Sequence, residues 1–223
     1  MNEWLAFLWA PYQTYSRIEI SVEALAAVFG VVSVLLAQRR HIWVYPVGLV
    51  STILYSYLFF KWGLYGEALI NAYYTAMSVY GWILWRQHSE QDHVHVAVQW
   101  ANFKDAGIGG VIWLCSFLFV LAIYYFRPWI ESGFSVWDMN QHSIHHLGGI
   151  DFLDASIAAT CFVAMWLQAQ RRINHWYLWT IANVVMVPLM FYKGYGITAL
   201  QYMVFVVLAW IGLRLWKQSL QAS

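Results

Sequence analysis

The chain has 223 residues, 61% hydrophobic, 19% aromatic and only 10% charged, and its 12 Lys+Arg against 11 Asp+Glu leave a net charge of +1. Soluble domains carry roughly a quarter charged residues, so this composition fits poorly with a soluble domain, a disordered chain, a nucleic-acid binder or a secreted disulfide scaffold. Apolar runs separated by short polar breaks point to a polytopic membrane protein, in which Cys115 and Cys161, both inside apolar runs, read as small core side chains.

Residues 1–19 open with Met1-Asn2-Glu3, without the basic run of a signal peptide, and Trp4, Leu5, Leu8, Trp9 and Tyr12 fit a short helix in the membrane interface. Seven mostly apolar segments follow, at 20–37, 42–60, 66–85, 107–126, 152–169, 175–192 and 197–216. Each is about long enough to cross a ~30 Å hydrocarbon core at ~1.5 Å per residue. Backbone in lipid must satisfy its own hydrogen bonds, and these runs lack the alternation of barrel strands. The expected fold is therefore all-α, with seven transmembrane helices. The side that carries the C-terminus collects Arg39, Arg40, Arg86, Lys104, Arg171, Arg172, Arg214 and Lys217, against Arg17, Lys61, Arg127 and Lys193 on the other. The positive-inside rule then puts the N-terminus on the external side and the C-terminus in the cytoplasm.

The first and fifth segments end alike, Ala37-Gln38-Arg39-Arg40 and Ala169-Gln170-Arg171-Arg172, 132 positions apart. Further matches follow in the same order: Trp43 with Trp176, Phe59-Phe60-Lys61 with Phe191-Tyr192-Lys193, and Tyr65-Gly66 with Tyr195-Gly196. The organisation expected is a first three-helix repeat over 20–86, loops and a linker helix over 87–151, and a second three-helix repeat over 152–218. An odd number of helices per repeat with one helix between them makes the repeats parallel, the SWEET-like 3+1+3 arrangement, with a substrate site near the midplane between the halves.

Within the second repeat, Trp176, Trp179 and Asn183 fall at i, i+3 and i+7, on one helix face. Two indoles one turn apart can hold a planar cationic ring, at roughly 0.5–2 kcal/mol per cation–π contact, and the amide adds directional hydrogen bonds. Trp176 equally suits the aromatic belt, and Asn183 a helix-packing bond. Asn71 and Gln201 each stand five residues past a glycine, Gly66 or Gly196, and are read as repeat equivalents that grip hydroxyls or a carboxamide, or else as interhelical glue. Trp43 is read as the first-repeat counterpart of Trp176. Glu23, Glu67 and Asp154 sit about a turn inside their helices, where the macrodipole favours them, and no ionisable residue reaches a midplane, which argues against ion coupling. The loop histidines His142, His145 and His146 near Asp138 and Asp151 make a weak metal site at best. No phosphate loop or catalytic motif is present, so no cofactor and no enzyme activity are expected.

Trp43-Val44-Tyr45-Pro46-Val47-Gly48, Leu64-Tyr65-Gly66-Glu67, Tyr80-Gly81-Trp82-Ile83-Leu84-Trp85-Arg86 and Trp176-Tyr177-Leu178-Trp179 together resemble the Pnu family of vitamin transporters, closest to its PnuC type, the bacterial nicotinamide riboside transporters. The resemblance runs from about Val22 to Gln218 and implies a 3+1+3 fold in the bacterial inner membrane, working by facilitated diffusion, with the vitamin trapped by a cytoplasmic kinase. It carries the family's substrate site onto Trp176 and Trp179. The sequence departs from the family pattern at Tyr45-Pro46, where Trp-Pro is expected. A nicotinamide riboside has a cationic ring, a carboxamide and a ribose, which suit indoles and amides. Thiamine or another vitamin or nucleoside is the nearest alternative. A membrane sensor or an intramembrane enzyme would be a different class. Aromatic-rich lipid faces and the interfacial segment leave room for a homo-oligomer.

Overall fold

A computed structural model of the chain describes residues 16–62, 65–89, 95–134, 145–192 and 196–221. The interfacial helix expected over 1–19 falls outside them except at its end, where the residues from Arg17 already belong to the first long helix. Among the described residues the fold is all-helical: α1 (Arg17–Gln38), α2 (Val44–Lys61), α3 (Tyr65–Gln87), α4 (Phe103–Tyr125), the short α5 (Arg127–Glu131), α6 (Gly149–Ala169), α7 (His175–Tyr192) and α8 (Gly196–Gln221). Five of them, α1, α2, α4, α6 and α8, are long and apolar enough to cross a membrane. The hydropathy of α3 and α7 is lowered by the tyrosines, tryptophans and asparagines that become important below.

Three helices begin earlier than their apolar runs because polar residues in the preceding loops cap them. Ser16 and Glu19 form a capping box at α1, with Glu19 N donating to Ser16 Oγ at 3.2 Å and Ser16 N to Glu19 Oε2 at 2.8 Å. Asn102 and Asp105 repeat the arrangement at α4, and Gly148 N donates to Asp151 Oδ2 at 2.7 Å at α6. Such caps satisfy amides that have no partner inside the helix.

Helix α2 packs between α1 and α3, and α7 between α6 and α8. The two triplets meet through α1 against α8 and α3 against α6, and α4 packs on α6. Exchanging the triplets turns the α1–α8 contact into α6–α3, so the joint between them has two-fold pattern. Outward faces remain apolar: Val111, Leu114 and Leu118 on α4 and Val204, Val207 and Ile211 on α8 are exposed at helical spacing. A soluble protein hides such stripes, whereas in a bilayer they face acyl chains.

The pattern is fixed at the ends of α1 and α6. Arg40 N donates to Ala37 O (2.9 Å) and His41 N to Leu36 O (3.0 Å); Arg171 N donates to Gln168 O (2.9 Å) and Arg172 N to Leu167 O (2.8 Å). Both are Schellman closures, and each places an arginine, Arg40 (φ 58°) or Arg171 (φ 60°), in the left-handed region usually given to glycine. Beyond them Tyr45 and Trp176 start α2 and α7, each ring lying in the notch of a glycine, Gly81 on α3 or Gly212 on α8. Trp85 and Trp216 then cross to the opposite triplet. Trp85 Nε1 donates to Gln168 O (3.1 Å) and Ala169 O (3.2 Å) at the end of α6, and Trp216 Nε1 to Ala37 O (2.8 Å) at the end of α1. Each pair, Arg40/Arg171, Tyr45/Trp176, Gly81/Gly212 and Trp85/Trp216, is 131 positions apart. The structural repeat therefore runs one residue off the Ala-Gln-Arg-Arg match. A Cβ on Gly212 would stand 2.5 Å from Trp176 Cζ2. Gly212→Ala should therefore displace the indole and lower stability by about 1–3 kcal/mol, seen as a fall in the thermal midpoint of the detergent-solubilised protein.

Candidate substrate site

The repeat offset corrects two equivalences expected from the sequence and assigns Asn183 its counterpart. Trp176 is the counterpart of Tyr45, and Trp43 of Asn174; Asn71 corresponds to Tyr202, and Gln201 to Ile70; Asn183 corresponds to Thr52. The apparent matches came from short strings that slide by one or two residues, whereas the glycine notches and crossing indoles do not slide. Trp43 lies in the turn before α2, 56% exposed, and joins none of the other candidates.

On α7 the three candidates do share a face, but they differ in surroundings. Trp176 is buried in an aromatic cluster at the Arg40 and Arg171 end, 4.4 Å from the His175 ring and edge-on to Trp216 at 5.8 Å. Its ring is covered there by His175, Gly212 and Trp216. Trp179, one turn deeper, is half-buried and packs on the inner side of that cluster. Asn183 is 7% exposed near the middle of α7, and its side-chain amide makes no hydrogen bond among the described residues.

The first triplet answers with different chemistry. Gly48 stands where α7 has Trp179, and Ser33 fills the space beside it, its Oγ 3.0 Å from where a Cβ would lie. Thr52 stands where α7 has Asn183, and its hydroxyl is bonded to Thr75 Oγ1 at 2.9 Å. The Thr52 hydroxyl is thus satisfied within its own triplet, whereas the Asn183 amide makes no hydrogen bond to a described residue.

Between the triplets a tyrosine layer closes the α3–α6 joint. Tyr73 stacks on Phe162 at 3.9 Å between ring centroids, donates to Phe162 O at 3.0 Å, and has Tyr74 edge-on to the same ring at 5.8 Å. Tyr74 and Tyr202 both approach the Cys161 thiol. Asn71, one turn before Tyr74, and Gln201, beside Tyr202, are half-buried at this level. Tyr73, Tyr74, Phe162 and Tyr202 were not singled out by sequence reasoning. Tyrosines belong at membrane interfaces, and two of them side by side in mid-segment were the available signal.

Of the loop histidines, only His145 and His146 are among the described residues. His145 Nε2 lies 3.1 Å from Asp151 Oδ2, and among the described residues no three metal-ligating side chains come together; His142 and Asp138 lie outside them. Among the described residues, every Lys and Arg falls in a loop or within about two turns of a helix end, so the helix middles offer dipoles and aromatic faces without cations.

A family described as nicotinamide mononucleotide transporter matches residues 20–218. The chain belongs to this family. It is 25% identical over 210 residues to the nicotinamide riboside transporter PnuC of Escherichia coli (strain K12), covering 89% of this chain and 85% of that protein. It is also 25% identical over 190 residues to the riboflavin/roseoflavin transporter RibM of Streptomyces davaonensis, covering 85% and 81%. A crystal structure of the vitamin B3 transporter PnuC shares its fold, with a TM-score of 0.66 at 20% identity over 96% of this chain and 88% of that one. The resemblance to Pnu transporters read from the sequence is borne out, and these relatives are transporters, not enzymes.

If the tyrosine layer holds the joint, Tyr73→Phe should remove one interhelical hydrogen bond and lower stability by about 0.5–1.5 kcal/mol. Ligand affinity should change by less than about threefold, since the stack on Phe162 remains; thermal unfolding and calorimetry on the same preparation separate the two effects.

Proposed function

We propose that this protein carries nicotinamide riboside across the bacterial inner membrane, supplying NAD synthesis, by facilitated diffusion through seven transmembrane helices arranged 3+1+3. In this arrangement α1–α3 and α6–α8 are the two parallel repeats, 20–86 and 152–218, α4 is the linker, and the C-terminus is cytoplasmic. The exchange pattern of the two triplets and their constant repeat offset support it. The substrate site lies between them, with Trp179 as the aromatic surface for the pyridinium and Asn183 as the partner of the carboxamide. Asn71 and Gln201 serve the ribose from the tyrosine layer, and Trp176 forms the floor. Trp43 has no part in it.

The observation that carries this reading is Asn183, buried in mid-helix one turn beyond an indole, whose amide makes no hydrogen bond among the described residues. A neutral amide beside an aromatic face suits a cationic ring bearing a carboxamide. It suits a phosphorylated ligand poorly: a mononucleotide brings a phosphate into a layer that holds no Lys or Arg, and an unpaired anion there is costly. The riboside is therefore preferred over the mononucleotide, and phosphorylation by a cytoplasmic kinase makes uptake one-way by removing the transported form. No acidic or basic side chain at mid-depth is available to couple transport to protons.

Calorimetry with the purified protein tests the site. Trp179→Ala and Asn183→Ala should each weaken nicotinamide riboside binding by roughly tenfold or more, about 1.4 kcal/mol, with little loss of thermal stability; loss of stability with affinity intact would remove these residues from the site. In proteoliposomes, uptake should equilibrate rather than accumulate, ignore an imposed pH gradient, and be at least about tenfold slower for the mononucleotide.

A further inference from the structure

The segment 95–102 between α3 and α4 crosses the end of the molecule that holds the two left-handed turns, and it bonds to both. Val96 N donates to Arg40 O at 3.2 Å, and Arg40 Nη1 returns to Val96 O at 3.1 Å. His41 and His95 pair beside them in an isolated antiparallel bridge, with ring centroids 5.5 Å apart. Three residues on, Gln99 N donates to Arg171 O at 3.1 Å, Ile173 N to Gln99 O at 2.9 Å, and Ala101 N to Asn174 Oδ1 at 2.8 Å. The same feature of each repeat, the carbonyl of its left-handed arginine, thus receives an amide from one short strand. Lys217 on α8 adds a side-chain clasp, its Nζ 5.7 Å from the Trp100 ring and 5.3 Å from the Tyr177 ring. Val96 and Val98, buried, fill the aromatic cluster from outside.

That cluster also holds three polar atoms, Tyr45 Oη, His175 Nε2 and Trp176 Nε1, that are buried without a hydrogen-bond partner. Water reaching this end would satisfy them, so its closed state is opposed by desolvation and needs something to hold it. We propose that residues 95–102 are a cytoplasmic strap that ties both repeats together while this end is closed, plugs the aromatic cluster with Val96 and Val98, and lets go of at least one repeat when substrate leaves. This rests on the transport reading above, since alternating access requires the repeats to part at one end while they stay together at the other.

Opposed residues in such bridges lie about 4.5–5.5 Å apart, within disulfide reach. The full chain bearing H41C/H95C and Q99C/R172C, reconstituted and oxidised with both bridges confirmed by mass spectrometry, should take up nicotinamide riboside at least roughly fivefold more slowly than the same protein treated with dithiothreitol. A smaller difference overturns the strap. A second measurement does not need transport: a maleimide on the cytoplasmic side should label A209C, buried in the cluster, at least roughly fivefold faster when V96A/V98A is also present. Equal rates overturn the plug. If the reduced protein bound and carried no nicotinamide riboside, the transport reading would fall and the strap's release with it, and the labelling rates would still decide the plug.

Discussion

The architecture depends on two indole N–H groups. The last carbonyls of a helix have no partner within it, and at the ends of α1 and α6 these carbonyls are met by Trp216 and Trp85, each from the other repeat. A buried carbonyl bonded across a joint resists separation of its two sides, because parting them without water leaves donor and acceptor both exposed to an apolar medium. The bonds need an indole at a set distance from a helix terminus, which in turn needs the Schellman closure to turn the chain away, the glycine notch to admit the next aromatic ring, and the start of α2 or α7 immediately afterwards. Each requirement occurs twice.

On this symmetric frame the ligand chemistry is one-sided. The second repeat carries Trp179 and Asn183 where the first has Gly48 and a Thr52 already paired with Thr75. The tyrosines of α3 stack on Phe162 of α6 and so contribute to the joint, yet lie at the depth of Asn71 and Gln201.

Much of this was legible in the sequence. Apolar runs located seven of the helices to within a few residues, and the errors at α1, α4 and α6 lie where Ser16, Asn102 and Gly148 begin helices ahead of the apolar run. The duplication was also visible, with an offset that drifted by one or two residues about the structural one. Arginines outside the membrane are interchangeable in composition, so Ala-Gln-Arg-Arg aligns by identity while the backbone puts Arg40 and Arg171 in the same conformation. Gln38 and Gln170, equal in that alignment, do unlike work: one donates to Leu208 O and the other to Tyr80 Oη. The resemblance to Pnu transporters carried Trp176 and Trp179 to the site as a pair, but packing separates them, since the ring that enters the Gly212 notch is covered. Nothing in the polar stretch after α3 marked residues 95–102, whose bonds are mostly backbone to backbone and leave no trace in side-chain pattern.

The glycine notches have an evolutionary consequence. Tyr45 lies in the Gly81 notch and Trp176 in the Gly212 notch, so the two rings are symmetry mates of different size. A larger ring at position 45 would need more room along α3, and a smaller one at 176 would leave a void beside Trp216. Ring and notch should therefore change together in lineages of this family, and the joint can drift in size on one side while the other stays as it is.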